Sequence, residues 1–189
     1  MSFLALPPDI RFRIYPLLLD PNTYSSSYKH LNRRAKEAYD NSSLPSAMLP
    51  RFHVTRKTPS ILLLNKLITA EALPVLYSKE MTLYATPSTY FVFRQMDIAE
   101  FICETLLERM RFVVLRLKHP ENLFVFSLLD IWGRDCLLER LVVFLPKREV
   151  RDEYGIDWDI VESRLWMFAD VVGIDFQMRE VDNPLEDGK

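Results

Sequence analysis

The side chains best suited to chemistry here are three histidines, two cysteines and a knot of carboxylates. Their spacing argues against a reactive centre. His30 and His53 stand in polar sequence and His119 sits beside Pro120, so each reads as a surface residue rather than a base held on a nucleophile. There is no G-x-S-x-G turn to present a serine to a base. Cys103 and Cys136 lie 33 residues apart in apolar surroundings, which predicts free, buried thiols in a reducing compartment. Zinc needs N or S ligands in short pairs, and neither cysteine has a near partner. The densest acids are Asp152, Glu153, Asp157 and Asp159. They lack the alternating oxygens and the glycine of a calcium loop. Acids placed just before a helix are better explained by its dipole. Only four glycines occur, so phosphate-cradling loops are scarce, and no P-loop, G-x-G-x-x-G or H-E-x-x-H is present. No catalytic residue, metal or cofactor is expected.

Charge is uneven but not extreme. The net charge is −2, with seven Lys/Arg against two acids from Lys29 to Lys57 and twelve acids against four bases from Glu149 to Lys189. Arg33, Arg34, Lys36, Arg56 and Lys57 form a basic patch, with only Tyr28 and Tyr39 as neighbouring aromatics. A nucleic-acid reader normally has a stronger basic field with interleaved aromatics, so two solvated surfaces are the favoured reading. Apolar residues make up 49% and charged residues 26%, which is globular composition. Trp132, Trp158 and Trp166 fall in Leu- and Phe-rich helical patterns and are expected in the core. No signal peptide is read in the opening residues, and no apolar run nears the roughly 20 residues of a membrane helix. The expected location is the cytoplasm or nucleus.

The elements follow from periodicity and punctuation. Pro7, Pro8 and Asp9 open a helix carrying Ile10, Ile14, Leu17 and Leu18 at helical spacing, with a kink or break expected at Pro16. Residues 20–58, rich in Ser, Asn and Pro, read as a mobile insertion with a short helix over Lys36–Tyr39. Thr58 and Pro59 predict the start of a second helix through Ile61, Ile68 and Ala72, which Pro74 ends before a short third helix. After Lys79, strand-like runs at Met81–Ala85, Phe112–Leu117, Leu141–Leu145 and Ile174–Met178 alternate with helices at about 88–109, 121–134 and 158–171. Asp159 with Glu162 predicts a capping box. The alternation implies parallel strands with right-handed crossovers, in a small open sheet or a solenoid turn or two.

Two segments carry more than their local structure. One is Phe3-Leu4-Ala5-Leu6-Pro7-Pro8-Asp9-Ile10-Arg11-Phe12-Arg13-Ile14-Tyr15; the other runs from Ile61 through Asn65 to Glu71-Ala72-Leu73-Pro74-Val75-Leu76-Tyr77-Ser78. In this order they resemble the fungal F-box-like domain family, over residues 3 to 85. The family pairs a leucine-proline helix with a later Glu-Ala-Leu-Pro-x-Leu-Tyr helix and a short strand, here Thr82 to Ala85. The resemblance implies docking on the Skp adaptor of a ubiquitin ligase through Leu6, Pro7, Ile10 and Ile14, extended by Phe3 and Leu4. The following domain would hold a protein target that the sequence does not name. The expected fold is thus an α+β or α/β chain. Residues 1–80 form the F-box-like head, 81–181 a mostly parallel α/β body of about four short strands, and 182–189 a flexible tail. The alternative is a non-ligase scaffold or regulatory protein whose N-terminal helices are part of its core. Neither reading expects a membrane or nucleic-acid partner.

Overall fold

Four runs rich in Val, Leu and Phe form the strands β1 (Glu80–Tyr84), β2 (Phe112–Arg116), β3 (Arg140–Pro146) and β4 (Asp175–Val181). The computed structural model describes residues 3–25, 28–30, 33, 59–85, 98–100, 102–133, 135–151 and 155–185. The strands make one all-parallel sheet in the order β1-β2-β3-β4. The N-terminal helices followed by a parallel α/β body are therefore as expected. The register runs straight across, as in Met81↔Val113↔Leu141↔Phe176 and Thr82↔Val114↔Val142↔Gln177.

Ahead of the sheet lie α1 (Pro8–Leu18) and α2 (Lys66–Tyr77). Between strands lie α3 (Glu104–Arg109), α4 (Asn122–Trp132) and α5 (Gly155–Val172), with a single helical turn at Arg148–Arg151. Every strand pairs with its sequence neighbour, so successive right-handed crossovers advance in one direction and lay their helices on one face. The core has this composition. Met81, Leu83, Val113, Leu115, Leu117, Leu141, Val143 and Leu145 pack with Leu107, Phe124, Val125, Leu128, Trp132, Trp158, Val161 and Leu165. The indole Nε1 of Trp132 donates to the Leu107 carbonyl at 3.2 Å, which ties α4 to α3 within the core. The turn from α5 into β4 uses Gly173 at φ 77°, and the Ile174 amide returns to the Ala169 carbonyl at 3.2 Å. That reversal needs a residue free of the Cβ penalty.

Several local expectations are corrected. Asn65 caps α2, which starts at Lys66: its side chain accepts from the Leu67 amide at 2.8 Å, while Ser60–Leu63 form a separate 3-10 turn and Thr58 lies outside the described residues. Pro74 does not end α2, which continues to Tyr77 with Leu76 buried in the head core; no third helix separates there. Pro16 likewise lies within α1, which ends two residues later. Asp159 is inside α5 and cannot be its cap, because the helix begins at Gly155. The long helix expected before β2 is interrupted, with a 3-10 turn at Ile98–Glu100 and an extended Cys103 ahead of α3.

Parts of the expected insertion and tail are structural. Pro21, Tyr24 and Tyr28 are buried, with Tyr28 stacked on Tyr84 at 5.5 Å. Pro184 is buried, and its carbonyl accepts from Arg116 Nη1 at 3.0 Å. The short helix over Lys36–Tyr39, with Arg34, Lys36, Arg56 and Lys57, lies outside the described residues, as do His53, Asp152 and Glu153. Cys103 is exposed and Cys136 half-buried, so burial of both thiols is corrected although both are free. Trp132 and Trp158 are in the core, but Trp166 stands on the surface.

Candidate functional site

The two segments that resemble an F-box-like head meet through charge. Arg11 on α1 and Glu71 on α2 pair in a fork, with Nε to Oε2 at 2.9 Å and Nη2 to Oε1 at 2.6 Å. The Tyr15 hydroxyl donates to the same carboxylate at 2.5 Å, and Arg11 Nη1 donates to the Leu6 carbonyl at 2.6 Å. The hydrogen bonds from Arg11 and then Tyr15 hold the Glu71 carboxyl at about 2, below its ordinary 4.5. Burial, followed by the bond to Glu71, pushes the Tyr15 phenol up. Bidentate pairing fixes orientation as well as distance, so the helices are locked in register as well as in contact. Tyr15, Leu19, Ile61, Ile68, Ala72 and Leu76 form the head core, and Leu106 is its contact beyond residue 85.

The inward face of α1 is therefore Arg11, Tyr15 and Leu19. Leu6, Ile10 and Ile14 are half-buried beside it, and Pro7 is exposed as the residue that precedes the helix. Ile10, Ile14, Leu17 and Leu18 recur at i, i+4, i+7 and i+8, which sets them on one helical face. Leu17 is 82% exposed and Leu18 53%. Phe3 packs on Tyr15 and the head core, while Leu4 remains at the surface. Of the fifteen large exposed apolar side chains among the described residues, seven (Leu4, Phe12, Leu17, Leu18, Leu63, Leu64 and Leu67) belong to the head. Lys79 bonds the carbonyls of Pro16, at 2.5 Å, and Leu19, which places a cation at the C-terminal end of α1.

The second surface is the sheet face opposite the helices. Its rows, read across the strands, are Glu80–Phe112–Arg140–Asp175, Thr82–Val114–Val142–Gln177 and Tyr84–Arg116–Phe144–Arg179. Arg140 stands over the Phe112 ring at 5.2 Å and pairs with Glu80 at 3.4 Å. Arg116 and Arg179 flank the Phe144 ring at 4.6 and 5.9 Å. Each guanidinium is also engaged within the protein: Arg140 by Glu80, Arg116 by the Pro184 carbonyl and Arg179 by Gln177. A cavity of about 510 Å³ at the ends of α3 and α4 contains Glu108, Asp135 and Cys136, but among the described residues it holds no imidazole to activate the thiol. Among the described residues, no group of three potential metal ligands occurs, and no helix is long and apolar enough to cross a membrane.

Comparison with known proteins returns nothing: no family model, no curated protein and no solved structure matches the chain.

Sequence reasoning named Leu6, Pro7, Ile10 and Ile14 but not Leu17 or Leu18, although these shared the period. It also passed over the open face. The available signal was alternation: a parallel strand covered on both faces is apolar throughout. On this face Phe112/Arg116 and Arg140/Phe144 flank a valine on each of β2 and β3, and only β4, with Asp175, Gln177 and Arg179, is polar at every second position.

Proposed function

We propose that this chain is a protein–protein interaction module without a catalytic step, built as an F-box-like substrate adaptor. In this reading the head docks on a Skp-type adaptor protein of a ubiquitin ligase, and the sheet face opposite the helices holds the target. The observation that carries it is the head's own closure. Arg11, Glu71 and Tyr15 lock α1 to α2 from within, while Leu6, Pro7, Ile10, Ile14, Leu17 and Leu18 are left at or near the surface. An amphipathic helix presenting i, i+4, i+7 apolar positions is suited to a hydrophobic groove. A reducing location, cytoplasm or nucleus, fits the two free thiols.

Co-purification of the full chain with a Skp-type adaptor tests this. Wild type is retained, Leu6→Ala/Ile10→Ala weakens retention, and Leu17→Asp weakens it by about tenfold or more without changing thermal stability. Failure of folded wild type to bind the adaptor refutes the docking role. A second reading, a non-ligase scaffold with the N-terminal region built into the core, is favoured by the bonds that Asn22, Tyr24 and Lys79 make to β1 and α1. It predicts no adaptor binding and a Leu17→Asp variant that behaves as wild type.

A further inference from the structure

The two edges of the sheet are treated differently. The outer edge of β1 is closed by side chains: Asn22 Oδ1 accepts from the Thr82 amide at 2.7 Å, Asn22 Nδ2 donates to the Glu80 carbonyl at 3.3 Å, and the Tyr24 hydroxyl bonds the Thr82 carbonyl. β4, the other edge, is seven residues long. Of the described residues after it, Pro184 meets Arg116 on the sheet face opposite the helices rather than the β4 edge. Among the described residues no further strand pairs with this edge, and an unpaired edge of this length is a template for another strand.

The sequence of β4 selects that strand. The Asp175 amide bonds inward to the Glu139 carbonyl, so Asp175, Gln177 and Arg179 direct their backbone groups to β3. The alternate residues Phe176 and Met178 direct theirs outward. An antiparallel partner whose two-fold axis passes between paired Gln177 residues then exchanges both bonds at each Phe176–Met178 pair. It leaves Asp175 opposite the partner's Arg179, and Arg179 opposite the partner's Asp175, at the non-hydrogen-bonded positions where side chains lie closest. Asp175 and Arg179 are exposed, and Gln177 already links them within the strand: Arg179 Nη2 donates to its Oε1 at 2.8 Å, and its Nε2 reaches Asp175 at 3.4 Å. The strand is thus self-complementary in charge in this one antiparallel register.

The helix beside this edge agrees. Ile160, Trp166, Met167 and Val171 of α5 are exposed at 41, 55, 55 and 58%. Trp166 leans edge-on onto Phe176 of β4 with ring centroids 4.7 Å apart. Ile160, Met167 and Val171 share a stripe toward the side where Arg164 meets Phe126 of α4, so a two-fold axis perpendicular to the sheet, which keeps both α5 helices on the same side, brings only Trp166 of these toward the partner.

We infer that the chain forms a symmetric dimer with a second copy of itself, pairing β4 antiparallel to β4 about Gln177 into one continuous eight-stranded sheet. This does not rest on the adaptor reading. Sedimentation or light scattering of the full chain across roughly 1 to 100 µM tests it. Wild type dimerises. Asp175→Arg and Arg179→Asp, each at an exposed position, place like charges opposite one another twice per dimer and weaken association by about tenfold or more. The double variant Asp175→Arg/Arg179→Asp restores it. A wild type that stays monomeric over this range overturns the inference. So does a dimer indifferent to Arg179→Asp, or a double variant no better than the singles, with circular dichroism confirming that each variant is folded.

Discussion

Replacing Val143 by Thr, and separately its neighbour Val142 by Thr, measures the one-sidedness of the sheet with a single chemical change. Both residues lie on β3 and are buried at 0 and 6% exposure. Valine and threonine are close in shape and both favour strands, so backbone preference cancels between the two variants. Val143 points into the helix-side core, between Leu115 and Met178 across the sheet. A hydroxyl there has apolar neighbours, and burying one without a partner costs about 1–3 kcal/mol. Val142 lies on the other face, in the row Thr82–Val114–Val142–Gln177. There the hydroxyl finds the polar Gln177 beside it, and with a partner in reach the cost is below about 1 kcal/mol. Thermal unfolding followed by fluorescence of the buried Trp132 and Trp158 resolves the difference. The expected fall in melting temperature is about 2–4 °C per kcal/mol for a chain of this size. Val143→Thr therefore melts several degrees below Val142→Thr. Equal losses at the two positions, or a larger loss at Val142, refute the assignment of all crossover helices to one face.

Two further outcomes follow from the head and from the last turn. The folded Glu71 carboxyl sits at about 2 against an ordinary 4.5, so its contribution is fully present above pH 4.5 and is lost as pH falls toward 2. Melting temperature measured between pH 6 and pH 2 should fall through this window, and less so in Glu71→Gln. Gly173→Ala puts a Cβ at φ 77° in open space, so the cost is backbone strain alone, about 1 kcal/mol. Its melting temperature should drop by about 2–4 °C in differential scanning calorimetry, with no change in far-ultraviolet dichroism.

The strands were legible because their β-branched and leucine runs are local signals, and each lies within a few residues of its predicted bounds. Helix starts were less so. Thr58-Pro59 and Asp159-Glu162 are sound capping patterns, but tertiary packing placed the starts at Asn65 and Gly155. Proline chemistry predicts a kink or break at Pro16 and an end at Pro74, yet each helix continues past its proline, and the buried Leu76 holds the end of α2 in the head core. The head's lock was invisible locally, since Arg11 and Glu71 are 60 residues apart and nothing in their own surroundings announces a pair. The apolar face of α1 could be read from spacing, but the division between the inward Arg11–Tyr15–Leu19 side and the outward Leu17–Leu18 side needed the position of α2.

Because each strand rests on the one made just before it, the chain can assemble in the direction of its synthesis. β1 finds its outer side already supplied by Asn22 and Tyr24, and β2, β3 and β4 each arrive beside a completed neighbour. A nascent chain with this topology need not keep a strand waiting for a distant mate, so loop closure between strands stays short at every stage. Lengthening the sheet by another strand–helix unit at the β4 end would leave every existing pairing intact.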